Sequence, residues 1–140
     1  MAYIDTSVLT SYYWREKRTE RVQARLAMLD EPVLSPLVEV EFHCVIARQV
    51  RTGACAKTTA HSILRLFRSH VAQSIYRVVP VDTSDYVRAR NWIAELDTAL
   101  RVLDAIHLAV AHSNGLVLLT ADRALARTAA ALHADLELLD

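Results

Sequence analysis

Four acidic residues stand where a carboxylate is conspicuous or costly: Asp5, Glu41, Asp104 and Asp122. Asp5 directly follows a short apolar run in Tyr3-Ile4-Asp5-Thr6-Ser7, and Asp122 follows another in Leu118-Leu119-Thr120-Ala121-Asp122. Asp is favoured at the start of a helix, so each could simply cap the helix after its strand. Flanking hydroxyls at both sites weigh against that. Asp104 lies in Leu103 to Ala111, a stretch apolar almost all the way round, which reads as a buried helix. At about 100° per residue it shares a face with Leu100, Leu108 and Ala111. An unpaired carboxylate there would be costly, and the alternative is a pair with His107 or Arg101. Glu41 lies on one helical face with Leu37, Val38, Cys44 and Val45, whereas Glu39 projects to the opposite side with His43. Its alternative is an edge glutamate, solvated or paired with Arg48.

If these acids share one rim, they repel: two unit charges about 5 Å apart interact by about 3 kcal/mol at an effective dielectric near ~20. Compensation has three forms, namely protonation of some acids, an intruding arginine, or a bound divalent cation. An all-oxygen ligand set without Cys or clustered His favours a hard ion, Mg²⁺ or Mn²⁺. Such a site is best suited to phosphodiester hydrolysis by an activated water. Thr6, Ser7 and Thr120 would orient the carboxylates as hydroxyl donors.

The elements that must position these residues are legible from punctuation at Pro32, Pro36, Gly53, Pro80 and Gly115. Short apolar runs read as strands at Ala2 to Ile4, Val33 to Leu34, Arg77 to Val79, Leu116 to Leu119 and Leu136 to Leu138. Helical stretches lie between them, at about Val8 to Leu29, Pro36 to Arg51, Ala56 to Ser74, Thr83 to Leu96, Leu103 to Asn114 and Arg123 to Leu132. Ser35-Pro36 supplies an N-cap with proline at the first helical position, and Asn114-Gly115 a left-handed C-cap. Strand and helix alternate throughout. That pattern predicts parallel strands joined by right-handed helical crossovers, hence a three-layer α/β/α sandwich with a short central parallel sheet. In such sheets ligands bind beyond the carboxyl ends of the strands, where Asp5 and Asp122 fall.

Taken in order, the four motifs resemble those of the PIN-domain ribonucleases, most closely the VapC-type toxins of toxin–antitoxin modules. Tyr-Ile-Asp5-Thr-Ser-Val-Leu is similar to the opening motif, and Ser35 with Glu41-Phe to the second. Leu103-Asp104-Ala-Ile-His-Leu-Ala is similar to the third, and Leu-Leu-Thr120-Ala-Asp122-Arg to the fourth. The resemblance covers nearly the whole chain. It implies a Mg²⁺-dependent endoribonuclease acting on RNA, with Asp5, Glu41, Asp104 and Asp122 as its acidic site and Asp5, Asp104 and Asp122 as the metal acids. It also implies a small cognate VapB-like antitoxin that covers the groove, and a homodimer. Ala121 departs from the pattern, since a larger polar or basic residue is common there. The alternative is a catalytically inactive PIN-fold regulator that binds RNA or protein. A haloacid-dehalogenase-like phosphatase needs a second Asp at the position of Ser7.

The chain of 140 residues has the size of a single domain spanning residues 1–140, and 53% hydrophobic residues with five Gly and Pro positions exclude a disordered class. Sixteen cations balance sixteen anions, so a basic nucleic-acid coat is excluded on bulk charge. Without the four site acids, sixteen cations face twelve anions, a mildly positive remainder that suits RNA. Arg18, Arg21 and Arg25 could form a basic ridge for phosphates or a solvated face paired with glutamates. Tyr12, Tyr13 and Trp14 could stack on bases, with core packing the alternative. Cys44 and Cys55, lacking C-x-x-C spacing, read as buried reduced thiols. Met-Ala-Tyr-Ile-Asp is no signal leader, and Val102 to Ala111 is too short and too polar to span a bilayer. The expectation is a soluble cytoplasmic protein with no membrane partner.

Overall fold

The alternation is realised, in a computed structural model describing residues 1–140, as five strands and seven helices. In chain order they are β1 (Ala2–Ile4), α1 (Thr6–Tyr13), α2 (Thr19–Ala27), β2 (Pro32–Leu34), α3 (Pro36–Arg51), α4 (Lys57–Ala72), β3 (Arg77–Val78), α5 (Thr83–Ala94), α6 (Val102–Ser113), β4 (Val117–Thr120), α7 (Arg123–Ala131) and β5 (Leu136–Leu138). Every pairing is parallel, in the order β3-β2-β1-β4-β5. Helices on both faces complete the three-layer α/β/α sandwich. The chain winds one way from β1 to β3 and the other way from β4 to β5, so the switch point lies between β1 and β4. Tyr3 faces Leu118 and Ile4 faces Leu119, and the Asp5 N–H donates to the Leu119 carbonyl at 3.0 Å. Asp5 and Thr120 therefore leave the sheet at the same edge.

Tyr3, Ile4, Val33, Leu34, Leu118 and Leu119 are completely buried, as a sheet covered on both faces requires. Helix α6 adds an unbroken buried run from Ala105 to Ala111. Each large apolar side chain enclosed in this way contributes about 1.5–3 kcal/mol. Helix α6 ends at Gly115, whose φ of +63° lets its N–H reach the His112 carbonyl and the Leu116 N–H reach that of Ala111. No helix is long and apolar enough to cross a membrane.

The expected helix from Val8 to Leu29 is instead two helices. Ser11 donates its hydroxyl to Glu16, and the Glu16 N–H donates to Thr19 Oγ1 at 2.8 Å, so local side-chain bonds turn the chain between Trp14 and Arg18. Strand β2 takes in Pro32, β3 stops at Val78, and β4 runs one residue later than expected, to Thr120. The cysteines are not buried: Cys44 is exposed and Cys55 partly so, both as thiols. The buried ridge of α3 is Val38, Phe42 and Ile46, and helical geometry puts Cys44 on the far side.

Candidate active site

Asp5 opens α1, yet its side chain does not cap that helix. Instead Oδ2 accepts hydrogen bonds from Ser7 Oγ and Thr120 Oγ1, each at 2.7 Å. Those hydroxyls are held in turn: Ser7 Oγ accepts from the Ala121 N–H at 2.9 Å, and Thr120 Oγ1 from the Asp122 N–H at 3.0 Å. The first and fourth motifs are thus stitched together across the switch point, and Asp5 is left 6% exposed with Oδ1 free of protein hydrogen bonds. For Asp122 the capping alternative is correct. Its Oδ1 accepts from the N–H groups of Ala124 and Leu125 at 2.7 and 3.1 Å, satisfying two donors at the start of α7.

The other oxygen of Asp122 faces Arg101. The guanidinium reaches Asp104 Oδ2 through Nε at 2.8 Å and Asp122 Oδ2 through Nη2 at 3.0 Å, bridging the third and fourth motifs. An intruding arginine, one of the three forms of compensation, is present between Asp104 and Asp122. Burial pushes the Asp104 carboxyl above the usual carboxylate range; Arg101 opposes that, and the charges of Asp5 and Asp122 add to it. These three acids therefore act on one another electrostatically. With the guanidinium between Asp104 and Asp122, no three Asp, Glu, His or Cys side chains enclose a common ion-sized point.

Glu41 meets neither solvent alone nor Arg48. Its Oε1 accepts from Thr6 Oγ1 at 3.2 Å and is hydrogen-bonded to His107 Nε2. His107 is thus the partner of Glu41 rather than of Asp104. Its Nδ1 lies 2.8 Å from the Tyr3 hydroxyl, which lies 2.6 Å from Ser35 Oγ. Ser35 sits at the start of α3 as expected, but its hydroxyl serves Tyr3 and caps nothing. Burial alone would lower His107; the Glu41 hydrogen bond and the charges of Asp5, Glu41 and Asp104 outweigh it and hold the ring above its ordinary value. The Tyr3 hydroxyl is raised, chiefly by burial. The roles of Tyr3, His107 and Ser35 in this chain escaped sequence reading. The available signal was a histidine within an otherwise apolar helix, and spacing pointed it at the wrong acid.

The donor set suits a hard cation. Asp5, Asp104 and Glu41 each keep one carboxylate oxygen without a protein hydrogen bond, and carboxylate oxygens are hard ligands. Beside the acids opens a cleft of about 830 Å³ lined by Ser7, Lys17, Arg18, Asp122 and Arg123 among others. The arginines of α2 do not form an open ridge. Arg18 pairs with Glu16 and donates to the Ala121 carbonyl, Arg21 donates to the Asp140 carbonyl, and Arg25 grips Glu137 through two bonds of 2.8 Å. They clamp α2 to the β4–α7 turn and the β5 end of the chain. Tyr13 is half-buried against the core, packed on Phe42 and Phe67 with its hydroxyl bonded to His70 and Tyr76.

Comparison with solved structures finds the same architecture at low identity. The sarcin-ricin-loop-cleaving toxin VapC20 of Mycobacterium tuberculosis is 18% identical, with a TM-score of 0.71 over 91% of this chain and 94% of that one. A toxin–antitoxin complex from Klebsiella pneumoniae gives 18% and 0.68 over 100% and 98%. VapBC2 of Rickettsia felis, bound to a promoter DNA fragment, gives 16% and 0.71 over 100% of both chains. No curated protein matches the chain in sequence. The family model of the PIN domain matches residues 2–131, a span that takes in all four acids and the switch point between β1 and β4. A family match over residues 2–131, which takes in strands β1 to β4 and helix α7, makes this chain a member of the PIN domain family.

Proposed function

We propose that the protein is a Mg²⁺-dependent endoribonuclease, with Mn²⁺ as an alternative ion, and the toxic component of a toxin–antitoxin module, residues 1–140 acting as one domain. The observation that carries this reading is the state of Asp5. It is a buried carboxylate that leaves its own helix uncapped and is aimed by two hydroxyls, one from a motif more than a hundred residues away, and its charge acts on Asp104.

Asp5, Asp104 and Asp122 would hold the cation once Arg101 gives way, and Glu41 completes the acidic site. Bound there, a hard divalent ion supplies Lewis acidity to water and to the scissile phosphate. The protein contributes the rest. Ser7 and Thr120 fix the rotamer of Asp5, the α7 backbone fixes Asp122, and Thr6 with His107 fixes Glu41. The cleft lined by Lys17, Arg18 and Arg123 would receive RNA. A small antitoxin is the proposed partner, supported by fold neighbours solved as toxin–antitoxin complexes, and a homodimer the proposed assembly.

The test is cleavage of a mixed RNA pool by the purified protein with Mg²⁺, with Mn²⁺ and with chelator. Metal-dependent scission that disappears in Asp5→Ala and in Asp104→Ala, while circular dichroism stays unchanged, is the expected result. A wild-type protein that leaves the pool intact under every condition overturns the enzyme and leaves a binding regulator.

A further inference from the structure

Beneath the acidic rim lies a buried polar chain that satisfies no helix end and joins no strand ladder. Ser35, Tyr3 and His107 are 0%, 0% and 1% exposed, and they connect in sequence through Ser35 Oγ, Tyr3 OH, His107 Nδ1 and His107 Nε2 to Glu41 Oε1. We propose that Tyr3 and His107 are positioning residues for cleavage, through which Ser35, Tyr3 and His107 hold the Glu41 carboxylate in its working orientation. The inference rests on the nuclease reading and extends it to residues inside the core.

The chemistry of the groups sets the direction of the chain. An ionised carboxylate only accepts, so the proton on the His107–Glu41 contact belongs to Nε2 in either charge state of the ring. With a neutral ring, Nδ1 is an acceptor, the Tyr3 hydroxyl donates to it, and the Ser35 hydroxyl donates to Tyr3. Each proton is then used once and every donor points toward Glu41. Hydrogen bonds aligned in this way polarise one another and strengthen in a low-dielectric interior.

Topology explains why the chain orients rather than merely fills space. It starts on α3 at Ser35, crosses β1 at Tyr3 and α6 at His107, and returns to α3 at Glu41, six residues from its origin. The same turn of α6 carries Asp104, three residues before His107. Glu41 is thereby referenced to the strand that ends in Asp5 and to the helix that bears Asp104. With Thr6 on the same Oε1, its other oxygen is left for the rim.

The experiment measures kcat and KM of purified full-length variants on one single-stranded RNA oligonucleotide chosen by cleavage from a mixed pool. The variants are Tyr3→Phe, His107→Leu and His107→Gln, with Glu41→Gln as reference. Tyr3→Phe keeps the buried ring and removes only the hydroxyl. His107→Leu removes the donor to Glu41, and His107→Gln restores an N–H donor. Expected is a loss of about 10- to 100-fold in kcat with little change in KM for Tyr3→Phe and His107→Leu, partly recovered in His107→Gln. If His107→Leu fails to fold, Tyr3→Phe decides. Variants that melt at lower temperature but keep wild-type kcat overturn the positioning role and leave the nuclease intact. A wild-type protein without activity overturns both.

Discussion

Removing the Arg101 side chain should make the protein bind divalent cations more tightly. Arg101 holds Asp104 and Asp122 at 2.8 and 3.0 Å, and a cation using either outer oxygen must break those contacts. The guanidinium side chain is 70% exposed, so its pairs belong to the weak, solvent-screened class of about 0.2–1 kcal/mol each. Releasing both costs about 0.4–2 kcal/mol, which converts to a dissociation constant about two- to thirtyfold lower in Arg101→Gln. Titration calorimetry with Mg²⁺ or Mn²⁺, without RNA, measures this directly. Added monovalent salt should shrink the difference, because screening weakens the arginine pairs. Arg101→Lys, which keeps the charge but loses the two-pronged contact, should fall between. Equal or weaker binding in Arg101→Gln would show that the guanidinium and the ion do not compete, and that the oxygens it holds are not ligands.

Two further outcomes follow from the same contacts. Asp122→Ala should lower stability by about 1 kcal/mol in thermal or denaturant unfolding, because Ala124 and Leu125 lose their acceptor at the start of α7. Asp122→Ser should recover much of that without restoring cleavage, separating the two duties of the residue. Arg25 holds the Glu137 carboxyl below the usual carboxylate range. Because the folded value is the lower one, the pair stabilises the protein above the unfolded value of about 4.3 and fades as pH falls through the folded value. The gap between wild type and Glu137→Gln should be about 0.5–1 kcal/mol at neutral pH and should close as pH falls through the folded value of Glu137, as read by denaturant midpoints.

The sheet was legible because its strands are short, apolar and separated by helix-length spacers, and because parallel α/β winding leaves little freedom once that alternation is seen. The place where reading failed most, between Val8 and Leu29, is governed by hydroxyls. Ser11 and Thr19 each sit within a helical pattern, and only their bonds to Glu16 show that the chain turns there. The site divides in the same way. Asp104 and Glu41 stood out because burial predicted from neighbours conflicts with charge, and Asp5 because it follows a strand among hydroxyls; both signals are local. Which partner resolves the conflict is not local. Arg101 and His107 flank Asp104 at equal helical distance, and only the position of α3 shows that the arginine takes Asp104 while the histidine crosses to Glu41. Ser35 likewise has the type and place of a capping residue, and Tyr3, thirty-two positions away, claims its hydroxyl.

The central strand β1 is made more than a hundred residues before β4, which completes its far side. Asp5 obtains one of its two hydroxyl donors only when Thr120 arrives, so a nascent or truncated chain ending before β4 has every early motif and no assembled centre. At elongation rates of about 5–20 residues per second the interval is on the order of ten seconds. Translation itself thus sets when the acidic centre can assemble, since the second hydroxyl on Asp5 comes from Thr120.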